Sequence, residues 1–265
     1  MQIVRTYPDG LFNWVDLTTP DPAGAKAFYS ALFGWETEDV PTDGGPDYTM
    51  FRINGYNVAG AGPMPPEMQE QGIPPFWSSY VKHDDVDAIA ERITAAGGTL
   101  LMPPIDVMEE GRMIMAADPE RALFGVWQPR NHIGAQIVNA PNALIWNELQ
   151  TNNPEVVQAF YGAVFGWTFE TGEDGYIAVK QNGRFQAGMI AISPDWGDVP
   201  PNWGVYFMVD DLAAKVAQVQ ALGGNVLVPP QKAGEMGEFA VVQDPQGAVF
   251  TIMSFQGPVD PPPGY

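Results

Sequence analysis

The sequence predicts an α+β protein made of two copies of one half, with four βαβββ units along the chain. Three observations lead there. The segment Trp14–Trp35, WVDLTTPDPAGAKAFYSALFGW, recurs as Trp146–Trp167, WNELQTNNPEVVQAFYGAVFGW, with 11 of 22 positions identical after a shift of 132 residues. That shift is half of the 265-residue chain to within a residue. Strand-like and helix-like runs then follow in the same order in both halves.

The first unit opens with alternation over Phe12–Leu17, the period of a strand. Asp21-Pro22 supplies an N-cap and a first-turn proline. Ala27, Phe28, Ala31 and Leu32 make one buried helical stripe, and Gly34 ends it. Strand-like runs follow at Tyr48–Ile53 and Tyr56–Ala61. The second unit starts at Trp77–Val81. Asp84-Asp85 caps its helix, Gly97-Gly98 closes it, and strands are expected at Leu100–Met102, Arg112–Ala116 and Phe124–Gln128. The second half repeats the plan: Asn153-Pro154 and Gly166 bracket its first helix, with strands at Tyr176–Lys180 and Phe185–Ile192. Then come Trp203–Val209, the Asp210-Asp211 cap, Gly223-Gly224, Val226–Val228, Phe239–Val242 and Val249–Phe255, now at a shift of 126 residues. Asp118-Pro119 and Asp244-Pro245 each precede a last strand. Gly62–Pro75 and Ser193–Pro201 separate units, Pro129–Asn142 separates the halves, and the proline-rich tail Pro258–Tyr265 is expected to fray. Domains are expected over 8–130 and 140–257.

Composition narrows the function. With 45% hydrophobic and 12% aromatic residues the chain can fill a core, and no apolar run is long enough for a bilayer. Met1–Gly10 lacks the apolar core of a signal peptide, so a cytoplasmic location is expected. No cysteine occurs, which removes disulfides, thiolate nucleophiles and cysteine-ligated metals. A formal charge of −20 disfavours nucleic acid and anionic membrane as partners. Motifs for serine hydrolases, phosphate loops, dinucleotide binding and zinc proteases are missing, and both Gly-Gly pairs read as helix C-caps.

The order FY…FGW, Asp-Asp, Gly-Gly and D-P-x-x-A, met twice over Leu11–Gln256, resembles the vicinal oxygen chelate superfamily. That is the glyoxalase/bleomycin-resistance/dioxygenase group, and in particular its duplicated glyoxalase-like members often labelled "hydroxylase" or antigen. The resemblance implies that paired units curl into open U-shaped sheets, each with one concave ligand cavity. It also implies metal ligands, where present, on the first strand, on the strand opening the second unit and on the last strand. Counting along the motifs puts those positions at Trp14, Ser78 (to within one residue) and Gly125, and at Trp146, Gly204 (likewise) and Thr251 in the copy. A divalent ion needs three or more converging His or carboxylate groups, so no metal and no other cofactor is expected. The two histidines, His83 and His132, lie off the strands and are expected at the surface.

Alternation instead aligns Asp16 with Trp14 and Glu148 with Trp146. Each half thus owns a Trp-x-carboxylate pair. The acid is a hydrogen-bond acceptor or general base, or else it caps a neighbouring backbone group or pairs with an arginine such as Arg52 or Arg112. Phe51, Trp77, Tyr80, Met113, Trp127, Trp203, Tyr206, Phe239 and Met253 are further candidates for the cavity wall. Arg112 is the candidate cation beside the first cavity, with Glu238 in its place in the copy. The expectation is a metal-free binder of a hydrophobic or aromatic small molecule. The alternative is an enzyme of the same superfamily, a metal-independent isomerase, lyase or hydroxylase-like catalyst with Asp16 or Glu148 as base, or a metal-dependent glyoxalase or dioxygenase. A monomer suffices as a fused pseudo-dimer.

Overall fold

The computed structural model describes residues 2–258; the tail from residue 259 on, and with it most of the stretch expected to fray, lies outside them. The first half runs β1 (Phe12–Thr19), α1 (Pro22–Phe33), β2 (Glu36–Val40), β3 (Tyr48–Ile53), β4 (Tyr56–Pro63) and a short α2 (Pro66–Glu70). It continues with β5 (Phe76–Lys82), α3 (Val86–Ala95), β6 (Thr99–Leu100), β7 (Ile105–Val107), β8 (Gly111–Ala117) and β9 (Leu123–Pro129). The second half repeats this as β10 (Leu144–Thr151), α4 (Pro154–Phe165), β11 (Thr168–Thr171), β12 (Ile177–Gln181) and β13 (Arg184–Ala191). After a single 3-10 turn at Pro194–Trp196 come β14 (Asn202–Met208), α5 (Leu212–Ala221), β15 (Asn225–Lys232), β16 (Gly237–Gln243) and β17 (Val249–Phe255).

Each half forms one open sheet. The first has the order β2-β3-β4-β1-β5-β9-β8-β6, with β7 beside β8; the second has β11-β12-β13-β10-β14-β17-β16-β15. In each, two units join through an antiparallel pair at the centre, β1 with β5 and β10 with β14. This is the α+β, tandem arrangement that the duplication implies.

Local chemistry sets the helices as the sequence indicates. Asp21, Asn153, Asp85 and Asp211 each accept a backbone N–H three residues on, satisfying a donor of the first turn. Gly34 and Gly166 end their helices at φ +71° and +73°, a left-handed geometry that glycine adopts without a Cβ clash.

The two sheets bury their helix-bearing faces against each other. Phe28, Tyr29, Leu32 and Phe33 of α1 lie in one cluster with Phe51 and Trp77 of their own half and with Val205, Phe207, Leu212 and Phe250 of the other. A second cluster joins Ile89 and Ile93 of α3 to Phe160, Tyr161 and Val164 of α4. Matching hydrogen bonds cross the divide. Tyr29 donates to Asp244 Oδ2 at 2.9 Å while accepting from Trp77 Nε1, and Tyr161 donates to Asp118 Oδ2 at 3.1 Å while accepting from Trp203 Nε1. Trp35 donates to the Asn142 carbonyl and Trp167 to the Gly10 carbonyl, each at 2.7 Å. Ser79 Oγ donates to Asn147 Oδ1 between the two central strands. The motif Tyr, Trp and Asp residues thus tie one half to the other.

Candidate functional site

The opposite, helix-free face of each sheet carries the Trp-x-carboxylate pair. Register shows which side chains share it: Trp14 lies opposite Tyr80 and Asp16 opposite Ser78, and on the other flank Asp16 lies opposite Gly60. Residues directly opposite one another point to the same side. From Tyr80 the same face continues to Gly125, and by alternation to Trp127, with Met113 opposite it on β8. In the second half it carries Trp146, Glu148, Tyr206, Thr251, Phe239 and Met253.

At the centre of each face a carboxylate accepts from two tyrosines. Tyr48 and Tyr80 donate to Asp16 Oδ2 at 3.1 and 3.2 Å, and Trp14 Nε1 donates to the Tyr48 hydroxyl. In the copy Tyr206 donates to Glu148 Oε1 at 2.6 Å, Tyr176 also bonds Glu148, and Trp146 Nε1 donates to Tyr176 at 2.9 Å. Burial pushes the Asp16 carboxyl up to about 6, against the opposing pull of the tyrosine hydrogen bonds. Burial also raises Glu148, again opposed by Tyr206 and Tyr176. Tyr48 and Tyr176 lie over glycines in register with the acids. A Cβ on Gly60 would collide with the Tyr48 hydroxyl, and one on Gly188 with that of Tyr176.

Several expected wall residues lie elsewhere. Phe51, Trp77 and Trp203 sit on the helix face: Phe51 packs on Tyr29 and Trp35, and the two tryptophans bond Tyr29 and Tyr161. Positions three apart on a strand point to opposite sides, so Trp77 and Tyr80 cannot share a cavity, nor can Trp203 and Tyr206. Arg112 also belongs to the helix face, where Asp87 of α3 and Asp106 hold it. Arg52 bonds Glu38 and Asn57. Neither arginine pairs with Asp16. The middle position in register with Trp14 and Gly125 is Tyr80 rather than Ser78, and Tyr206 rather than Gly204 in the copy. His83 bonds Asp85 near the helix cap. His132, expected at the surface, packs instead edge-on against Trp14 at 4.4 Å between ring centres, and burial pushes it down to about 4.

Sequence reasoning missed Tyr48 and Tyr176. Their signal was a tyrosine opening the same strand run in both copies, but its side depends on a register across three strands.

A divalent metal does not fit these residues. The three in-register positions supply an indole, a phenol and glycine or threonine. Among the described residues no three His, Asp or Glu side chains converge. A groove of about 410 Å³ lies away from both carboxylates, lined by Tyr7, Asp9, Lys82, Asp84 and Ile133 among others. Its Lys82 is taken up by Asp9 and Asp84, each at 2.6 Å, so it offers little unpaired charge.

Comparison with known proteins agrees with this architecture. Residues 11–126 match the family model of the glyoxalase/bleomycin resistance protein/dioxygenase superfamily, and residues 147–253 that of the glyoxalase-like domain. The chain is 44% identical to "Putative glyoxylase CFP32" of Mycobacterium tuberculosis, covering 93% of this chain and 95% of that protein. It is 34% identical to the anthracycline biosynthesis protein DnrV of Streptomyces peucetius, covering 94% and 95%. The fold superposes on the Mn(II)-bound glyoxalase of Novosphingobium aromaticivorans with a TM-score of 0.65 at 17% identity, over 96% of this chain and 85% of that one. The 2,3-dioxygenase LapB of Pseudomonas sp. KL28 gives 0.65 at 15%, over 97% and 96%. The chain therefore belongs to the glyoxalase/bleomycin resistance protein/dioxygenase superfamily, with two such domains in tandem.

Proposed function

We propose that the protein is a metal-independent small-molecule binding protein that holds a hydrophobic or aromatic ligand on the helix-free sheet faces. One observation carries the reading: the positions where the superfamily's metalloenzymes keep ligands hold Trp, Tyr and Gly or Thr around a tyrosine-bonded acid. Such a surface offers indole and phenol rings for stacking and an acceptor to fix orientation, which suits a flat apolar ligand. A formal charge of −20 steers the choice away from anions. The anthracycline relative supports an aromatic ligand, and the glyoxylase-named relative supports a second reading as an enzyme. For that reading the relevant observation is Asp16, a buried acid poised near pH 6 and suited to general-base work.

Chelator-treated protein screened against neutral aromatic compounds tests the first reading, with Asp16→Asn and Glu148→Gln separating the two. A binder keeps its affinity to within about tenfold in both variants. An enzyme keeps affinity and loses turnover of a compound that it converts. Binding that returns only when a divalent ion is added back overturns the metal-independent reading.

A further inference from the structure

Among the described residues the two helix-free faces are built alike and covered differently. In the first half the connector between the domains folds back over the face. Its His132 ring stands edge-on to Trp14 at 4.4 Å and near Trp127 at 5.5 Å, and Trp127 Nε1 donates to the His132 carbonyl at 2.7 Å. Asn13 donates to the Ile133 carbonyl, and the Ala135 and Gln136 amides donate to the carbonyls of Asn13 and Asn57. Tyr7 donates to the Ala135 carbonyl at 2.6 Å. Gly134, at φ +104°, passes so close to the Asn13 carbonyl that a Cβ would collide with it. The connector is therefore held by bonds along its length.

The seat it fills is aromatic. His132 Nε2 is sealed from solvent and has no hydrogen-bond partner among the described residues. Burial keeps the ring neutral at physiological pH. With the ring in place, Trp14 is 4% and Trp127 6% exposed. Trp146, the counterpart of Trp14, is only half-buried, whereas Met253, in the place of Trp127, and Tyr206 are buried like their counterparts.

Resting on the binding reading above, we infer that the first face is occupied by the chain's own His132, and that the second face, around Trp146, Glu148, Tyr206, Phe239 and Met253, is the ligand site. The His132 ring shows what such a seat accepts: a neutral, planar, ring-shaped group set against the indole. Glu148 adds an acceptor, so the ligand class is a neutral aromatic molecule bearing a hydroxyl or N–H.

The probe is 2-naphthol, titrated calorimetrically into the full-length protein. One site per chain is expected. Trp146→Phe weakens it at least tenfold, and Met253→Ala, a smaller change to the same face, weakens it severalfold. His132→Gly opens the first seat, so stoichiometry rises towards two, and the His132→Gly/Trp146→Phe double variant keeps one site. His132→Gly also takes up free imidazole with a change in tryptophan fluorescence that the parent protein lacks. Naphthol binding unmoved by Trp146→Phe and Met253→Ala overturns the assignment to the second face while leaving the protein a binder. A single site and no imidazole uptake in His132→Gly overturns the occupied first face. No naphthol uptake by the parent protein overturns this inference and the binding reading together.

Discussion

Asp16 shows how single residues set the energetics of these faces. A carboxyl raised to about 6 from an ordinary value of 3.8 binds its proton more tightly folded than unfolded. Its contribution is therefore unfavourable above pH 6, on the order of 2–3 kcal/mol, and fades as pH falls through the window to 4. Asp16→Asn keeps an oxygen to accept from Tyr48 and Tyr80 and removes the buried charge. The variant is expected to be more stable than the parent at pH 7, with the difference vanishing below about pH 4, as denaturant melts across that range would show. His132 acts in the opposite sense. Its lowered value means the unfolded chain takes up the proton first, so its contribution is lost as pH falls from 6.5 to 4. His132→Gly is expected to flatten that part of the pH profile, read in the same melts. The pairing of Trp14 with Asp16 was legible from alternation on one strand. That both acids accept from two tyrosines was not, because Tyr48 and Tyr176 reach them across a neighbouring strand.

Among the elements, the strands that alternation exposes least are the ones it missed. β2, ETEDV, is exposed along nearly its whole length, and β11 is a short, mostly exposed edge, so neither has an apolar side to reveal its period. Caps and glycine stops were legible because their chemistry is local. Alternation also could not say which parity of a strand meets the helices, which is why Phe51, Trp77 and Trp203 were expected on the wrong face. The glycines beneath the tyrosines give a test at this scale. Gly188→Ala puts a methyl group where the Tyr176 hydroxyl lies. It is expected to cost about 1–3 kcal/mol and to move Tyr176 off Glu148, visible as a lowered melting temperature and altered tyrosine near-ultraviolet dichroism. Unchanged stability and dichroism would contradict this packing.

Across the whole molecule, duplication was plain in the sequence, but the role of its motifs was not. The repeated Tyr of the FY pair and the Asp of the D-P turn meet only between halves, so no reading of one half could join them. Both apolar clusters contain residues from both halves. The chain is accordingly expected to unfold in one calorimetric transition, and two resolved transitions would contradict that coupling. Tyr29→Phe removes the donor to Asp244 and the acceptor for Trp77, and is expected to cost about 1–3 kcal/mol in the same experiment.

A ligand site that works without a metal leaves a signature in what the purified protein retains. Elemental analysis and native mass spectrometry of protein purified without metal supplementation read that signature. No stoichiometric divalent ion is expected, and any retained mass is expected to be organic and lost in Trp146→Phe. A divalent ion held at one equivalent per chain, and released by substitution of Asp16 or Glu148, would contradict that expectation.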